Sequence, residues 1–429
     1  MRKAKIISLA LASLLVLSSM GLSGCKSNTV AKTAKSGVTN VTVEFWGGDD
    51  DKKIWQENVD NVNKVYPNVK ATLQLLDWTT YWQKLQAQVA AGTAPDVLGC
   101  RDFELPAYQR LGAFTSLDSY IGSHSSEVNL DDFDSTILNA MKYQGKLYVL
   151  PYDYGPSLLF YNKDLFDKYK VSYPTDTWTW DDLRTAAKKM TSKANLDYGF
   201  ATDGQLYLAA MTYGMENGAT FFNSKGQLTL SDPKAISGIQ FFADLINVDK
   251  CAPTVSDLTS SSLSERWYAG HIAMYVDGPW SIINTKQNSK FGFRVAAMPL
   301  SPTTGKRTAP SAGSGFCVYS KTKVSEAAIQ TVIALTNKDS EKNLAAAGRA
   351  FSARKSQQEV YFDNANIEGL KDAMNAALKD SVGVMASTNY QEAETFVNNN
   401  VLQPIFYGKA KAADIIPQYD EQVKSTSVK

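Results

Sequence analysis

The sequence predicts an α/β fold arranged in two lobes, and three observations carry that reading. The chain has 429 residues, more than one simple hydrophobic core organises, so two lobes or domains are expected. Its first structured part alternates apolar strands with amphipathic helices, the βαβαβ rhythm of a parallel sheet covered by helices. Strand-like apolar stretches then return after a mostly helical middle.

The elements follow in order. Val41-Thr42-Val43-Glu44-Phe45 alternates like a strand and is broken by Gly47-Gly48-Asp49-Asp50. Trp55, Val59, Val62 and Tyr66 recur at helical spacing until Pro67 stops them. Val69, Ala71, Leu73 and Leu75 alternate as a second strand. Trp82, Leu85 and Val89 mark a helix ended by Gly92 and Pro95, and Asp96-Val97-Leu98-Gly99 reads as a third strand. Thr179-Trp180-Asp181-Asp182 resembles a capping box with Thr179 as N-cap, ahead of a face made by Leu183, Ala186, Ala187 and Met190. Ser231-Asp232-Pro233 opens a stripe of Ile236, Ile239, Phe242, Ala243 and Ile246. Phe291 to Met298 and Gly315 to Tyr319 are strand-like, Ala328, Val332 and Leu335 mark a helix, and the tail from Ala373 is mostly helical. No internal repeat is visible. No linker of distinctive composition follows the N-terminal tether, so short crossings are expected between the lobes.

Ahead of the fold, residues 1–24 read as a secretory signal: Arg2, Lys3 and Lys5, an apolar run from Ile6 to Leu17, then Leu22-Ser23-Gly24-Cys25. The run is too short for a membrane span. Its ending resembles the bacterial lipobox, which implies cleavage before Cys25 and acylation of that cysteine. Residues 25–39, rich in Ser, Thr, Lys and Asn, read as a flexible lipid-anchored tether. The expected location is therefore extracytoplasmic, anchored to the cell membrane, with a tether length that leans toward a Gram-positive cell surface.

Composition narrows the function. Hydrophobic residues make up 44% and charged residues 20% of the chain, as in ordinary globular proteins. Removing Arg2, Lys3 and Lys5 takes 44 basic residues to 41, against 43 acidic ones, a net charge of −2. Such a chain is not built to hold nucleic acid by neutralising phosphates, and it points to an uncharged ligand. Cys100, Cys251 and Cys317 form no C-x-x-C, so neither a disulfide framework nor a zinc site is expected, although one pair could bridge. His124 and His271 stand alone, outside any metal or triad pattern. G-x-S-x-G, P-loop and H-E-x-x-H motifs are absent. No cofactor and no catalytic residue is expected, though counting Asp and Glu does not exclude a glycosidase pair.

Six motifs in order resemble those of bacterial extracellular solute-binding proteins of the maltose-binding type, which deliver sugars to ABC importers. They are Gly92 with Thr93-Ala94-Pro95-Asp96-Val97; Gly112-Ala113-Phe114-Thr115-Ser116-Leu117-Asp118; Gly145 to Pro151 with Tyr161-Asn162-Lys163-Asp164-Leu165-Phe166; Thr179 to Leu183; Gly270-His271-Ile272-Ala273-Met274 to Gly278-Pro279-Trp280; and Gly313-Ser314-Gly315-Phe316. The resemblance runs from about Val41 to Val423. It implies a periplasmic-binding-protein-like fold whose two lobes enclose a ligand cleft, with several chain crossings. Lobe one would comprise 40–153 with 295–340, and lobe two 154–294 with 341–429.

A sugar offers weakly apolar C–H faces that suit aromatic rings, and hydroxyls that suit carboxylates, amides and Arg. Open α/β sheets bind ligands at strand ends. Trp280 stands where the family has a stacking Trp. Asp153 and Tyr154 stand at the expected crossing, where the family often has an acid and an aromatic. Arg101, Asp102 and Phe103 follow the third strand. Asp49, Asp50 and Trp46 follow the first. Gly313 and Ser314 could offer backbone N–H groups, and Tyr390 is an addition from the tail. Trp55, Trp82, Trp178 and Trp180 fall in helix patterns and read as packing. The expected function is capture of a mono- or oligosaccharide by cleft closure and delivery to the permease subunits of an ABC importer, by a monomer that is not an enzyme. The alternatives are an exported carbohydrate-active enzyme and a binder of a charged small solute such as a polyamine or phosphate ester.

Overall fold

The computed structural model describes residues 37–254, 256–384 and 387–428. The signal 1–24, the acylation candidate Cys25 and most of the 25–39 tether lie outside the described residues.

Among the described residues twelve strands are formed: β1 (Thr39–Trp46), β2 (Val69–Leu76), β3 (Val97–Arg101), β4 (Lys142–Tyr143), β5 (Lys146–Leu147), β6 (Val149–Pro156), β7 (Leu158–Asn162), β8 (Ala201–Thr202), β9 (Met274–Asp277), β10 (Phe293–Ala297), β11 (Pro310–Val318) and β12 (Val382–Gly383). Helices α1 (Asp49–Val65) and α2 (Trp78–Ala91) link the first three strands. β1 runs parallel to both β2 and β3, as the βαβαβ reading requires. α2 starts on the side chain of Asp77, which accepts the Thr80 N–H at 3.0 Å, and stops at Gly92, whose φ of 75° suits glycine.

Two larger sheets organise the chain. The first runs β2-β1-β3-β11, with β6 and β12 also paired to β11. The second is β10-β7-β9-β8. β6 and β7 are buried along their whole length, so their side chains read as apolar runs rather than alternations. Each sheet anchors a helix-covered apolar cluster: one around Phe45, Trp55, Leu98, Phe316 and Val332, the other around Leu159, Phe166, Leu183, Phe200 and Phe242.

The chain crosses between the sheets at places that differ from the expected boundaries. β6 stays in the first sheet to Pro156, beyond the expected end at 153. β10, which contains the expected return point 295, pairs with β7 in the second sheet, and the chain rejoins the first only at β11. The helix Lys338–Ala346, mostly assigned to lobe two, packs on α1: Asn58 donates to the Ser340 carbonyl at 3.1 Å and accepts from Asn343 at 2.8 Å. Strand register and helix packing, neither visible in composition, set these crossings. Thr179 does cap its helix, with the Asp182 carboxylate closing back on the Thr179 N–H at 2.8 Å. Among the described residues no helix is long and apolar enough to cross a membrane.

Candidate ligand-binding cleft

β1 and β3 end in Trp46 and Arg101. Both side chains line a cavity of about 380 Å³ shared by residues of the two sheets. The cavity lies at the C-terminal ends of parallel strands, where open α/β sheets bind ligands.

The wall on the first sheet is aromatic and internally paired. Trp46 packs against Trp78 and Trp82, with ring centroids 5.2 and 5.3 Å away. The Arg101 guanidinium lies 4.5 Å from the Trp78 ring centroid and its Nε donates to Glu104 at 2.9 Å. Asp51, in the first turn of α1, accepts the Gly48 N–H at 2.9 Å and the Trp55 indole N–H at 3.3 Å, and takes a charged hydrogen bond from Arg349. Asp153 accepts the Ser314 N–H at 2.8 Å. Burial pushes its carboxyl up to about 6, while the positive Arg349 pulls the other way.

The wall on the second sheet is built around a turn. Asp277 ends β9 and accepts from the Gly278 N–H at 2.7 Å, the Ser281 hydroxyl at 2.6 Å and the Tyr275 hydroxyl at 2.9 Å. These bonds fold Gly278-Pro279-Trp280 so that the indole lies over Gly278; a Cβ there would come within 2.1 Å of the ring. Trp280 is half-buried and lines the cavity. Asp203, just past β8, is pushed up to about 6 by burial and then by the charge of Asp277, with Gln205 hydrogen-bonding to it. Glu394 reaches the cavity from the helix Tyr390–Val397. Burial lifts it to about 7 against the opposing pull of Arg101. Tyr207 joins this wall, its hydroxyl donating to the Pro310 carbonyl at 3.2 Å.

Of the residues singled out from sequence, Trp46, Arg101, Asp153, Trp280, Gly313 and Ser314 line the cavity. The Ser314 N–H is already taken by Asp153 and is not open to a ligand. A Cβ at Gly313 would meet the Ile137 side chain at 2.3 Å, so that glycine allows close packing. Three aromatics, Tyr154, Phe103 and Tyr390, and two acids, Asp102 and Asp49, go elsewhere. Asp153 and Tyr154 lie within β6, not after it, and neighbouring strand residues face opposite ways. Tyr154 packs on Phe351, centroids 5.4 Å apart, and its hydroxyl accepts from Gln358 at 3.2 Å. Phe103 is fully buried and stacks on the equally buried Tyr390 at 5.1 Å, so both serve the second core. Asp102 is buried, with Oδ1 accepting the Phe103 N–H at 3.0 Å and Oδ2 unpartnered among the described residues; burial pushes it up to about 8. Asp49 is the exposed first residue of α1 and Asp50 follows it. The acid that α1 brings to the cavity is the next one, Asp51.

Sequence reasoning missed Asp51, Trp78, Asp203, Tyr207, Arg349 and Glu394. Trp78 and Asp203 follow strand ends and were open to the rule that flagged Trp46. Arg349 and Glu394 carry no local signal. Among the described residues no group of three or more His, Cys, Asp and Glu side chains is arranged to hold a metal.

Residues 47–342 match the family described as bacterial extracellular solute-binding protein, and the chain belongs to that family. A maltooligosaccharide ABC transporter solute-binding lipoprotein of Streptococcus pneumoniae (strain R6) is 27% identical over 346 residues, 76% of each chain. An arabinooligosaccharide-binding protein of Bacillus subtilis (strain 168) is 28% identical over 254 residues, 58% of this chain and 55% of that one. The fold matches an ABC substrate-binding protein of Listeria monocytogenes solved with cycloalternan, with a TM-score of 0.83 and 23% identity over 91% of this chain and all of that one. The fold class is therefore the two-lobed α/β architecture of that protein.

Proposed function

We propose that this solute-binding protein captures a neutral mono- or oligosaccharide in the cleft and hands it unaltered to an ABC importer. One observation supports this most: the aromatic side chains Trp46, Trp78 and Trp280, contributed by both walls, line the same cavity as the carboxylates Asp153, Asp203 and Glu394. That pairing suits a sugar's C–H faces and hydroxyls together. The sugar-named relatives from Streptococcus and Bacillus favour the same reading.

The lining also weighs against charged solutes. Arg101 is paired with Glu104 and Arg349 with Asp51, so neither cation is left to meet a phosphate ester. Burial lifts Asp153, Asp203 and Glu394 toward neutrality, which suits uncharged hydroxyl donors better than a polyamine. The ligand closes the lobes about the β6–β7 and β10–β11 crossings, a hinge motion, and the closed monomer is what the permease subunits recognise. Cys25 carries the lipid that holds the protein outside the cell membrane, with more than one acyl chain needed for stable anchoring. The Streptococcus relative is named a lipoprotein.

Calorimetry against a panel of neutral glycans, with chromatography of the recovered sugar, tests the reading. Saturable binding of one glycan class with the sugar returned intact is expected. Cleaved products, or no heat with any glycan, would overturn it.

A further inference from the structure

A second cavity, about 450 Å³, opens beside the cleft in the part of the chain built on the four-stranded sheet. Asp203 and Gln205 line both cavities, so these two side chains form the sill between them. The base of the second cavity is aromatic. Phe242 and Phe406 meet edge to face with centroids 4.9 Å apart, and Gly204 runs against the Phe406 ring.

The rim is polar and open. Asn399, Gln403 and Tyr407 line the cavity and are exposed to solvent. Two π-helical turns, Leu206–Met211 and Asn398–Leu402, frame this region and are tied together by the Leu206 N–H donating to Asn398 Oδ1 at 2.9 Å. Such turns insert an extra residue into a helix and concentrate at functional sites. Here they bring one residue group to the sill and the other to the rim.

We propose that this cavity is an extension subsite, which takes the further units of an oligosaccharide whose leading units occupy the cleft. The inference rests on the sugar-binding reading of the cleft and goes beyond it by assigning a longer ligand and a second site. An amide presents a donor and an acceptor side by side, as a pair of sugar hydroxyls requires. The Tyr407 ring offers a flat apolar face with a polar tip. The Asp203–Gln205 sill supplies hydrogen bonds where the chain passes from one cavity to the other.

The test compares a disaccharide with the matching hexasaccharide from the α-glucan, arabinan and mannan series, each titrated into the wild type and into the N399A/Q403A/Y407A variant. Circular dichroism and a thermal melt report whether the variant is folded, and the single Q403A variant is measured alongside. In the series that binds, the hexasaccharide is expected to bind the wild type more tightly than the disaccharide. The triple variant should lose about tenfold or more on the hexasaccharide and under about twofold on the disaccharide, with Q403A showing the same selectivity to a smaller degree. Equal losses on both lengths, or none on the hexasaccharide, overturn the subsite and leave the cleft reading standing. Wild type that binds neither length in any series removes both.

Discussion

The two walls of the cleft are built on opposite principles. On the six-stranded sheet the cations are matched, Arg349 with Asp51 and Arg101 with Glu104, and Asp153 accepts the Ser314 N–H. On the four-stranded side Asp203 and Glu394 lack an ion-pair partner among the described residues and are held toward neutrality by burial. The cations of the first wall are thus internally satisfied, whereas Asp203 and Glu394 on the second wall carry no matching cation among the described residues. Matched buried charges stabilise the fold only as pairs, whereas unmatched buried acids cost stability until something donates to them.

The sharpest way to break this contrast is R349A. It leaves Asp51 buried without its cation and should destabilise the protein by about 3–5 kcal/mol, read by urea unfolding. A loss under about 1 kcal/mol would show that the first wall is not held by that pair.

Next in size, W280A should weaken glycan binding by at least about thirtyfold, equivalent to about 2 kcal/mol, with little change in melting temperature because Trp280 is only half-buried. W46A, which removes a ring packed among Trp78, Tyr81 and Trp82, should lower both affinity and melting temperature. Equal stability losses from the two variants would erase the difference between the walls.

D203N tests the unmatched acids. It should cost about tenfold in affinity while leaving stability unchanged or raising it, since a half-buried, unpaired charge is removed. Lower stability would mean that Asp203 has a structural partner.

The pH dependence of stability tests the raised carboxyls directly. Asp153, Asp203 and Glu394 have folded values near 6, 6 and 7, above the ordinary carboxylate range. The folded chain therefore binds these protons more tightly than the unfolded chain does. Stability should rise as pH falls from about 7.5 to about 5. Below that it should fall, as acids held low by partners, such as Asp197 with Lys168 and Tyr169 outweighing its burial, become protonated. Differential scanning calorimetry across this range checks the sign; a stability maximum above pH 7 would contradict it.

Local signals made much of the fold legible. Alternation marked β1 and β2, Gly92 marked the end of α2, and Thr179 and Asp232 marked helix starts. In the cleft, Trp280 was legible from the Gly278-Pro279 before it and from its match to the family's stacking Trp. Tyr154 misled because β6 runs past Pro151, and within one strand only one of two neighbours can face the cleft. Phe103 and Tyr390 misled because their partner is each other, across most of the chain length. Arg349 and Glu394 were silent because their positions depend on how late helices pack, and no period or motif encodes that.

Small-angle X-ray scattering of the wild type and of the W280A/D203N variant, with and without the glycan that calorimetry identifies, bears most directly on the claim that the two walls close on a sugar. A smaller radius of gyration is expected on adding glycan to the wild type, and an unchanged one for the variant. Wild-type scattering that stays the same at saturating glycan, or a variant that contracts as the wild type does, would contradict it.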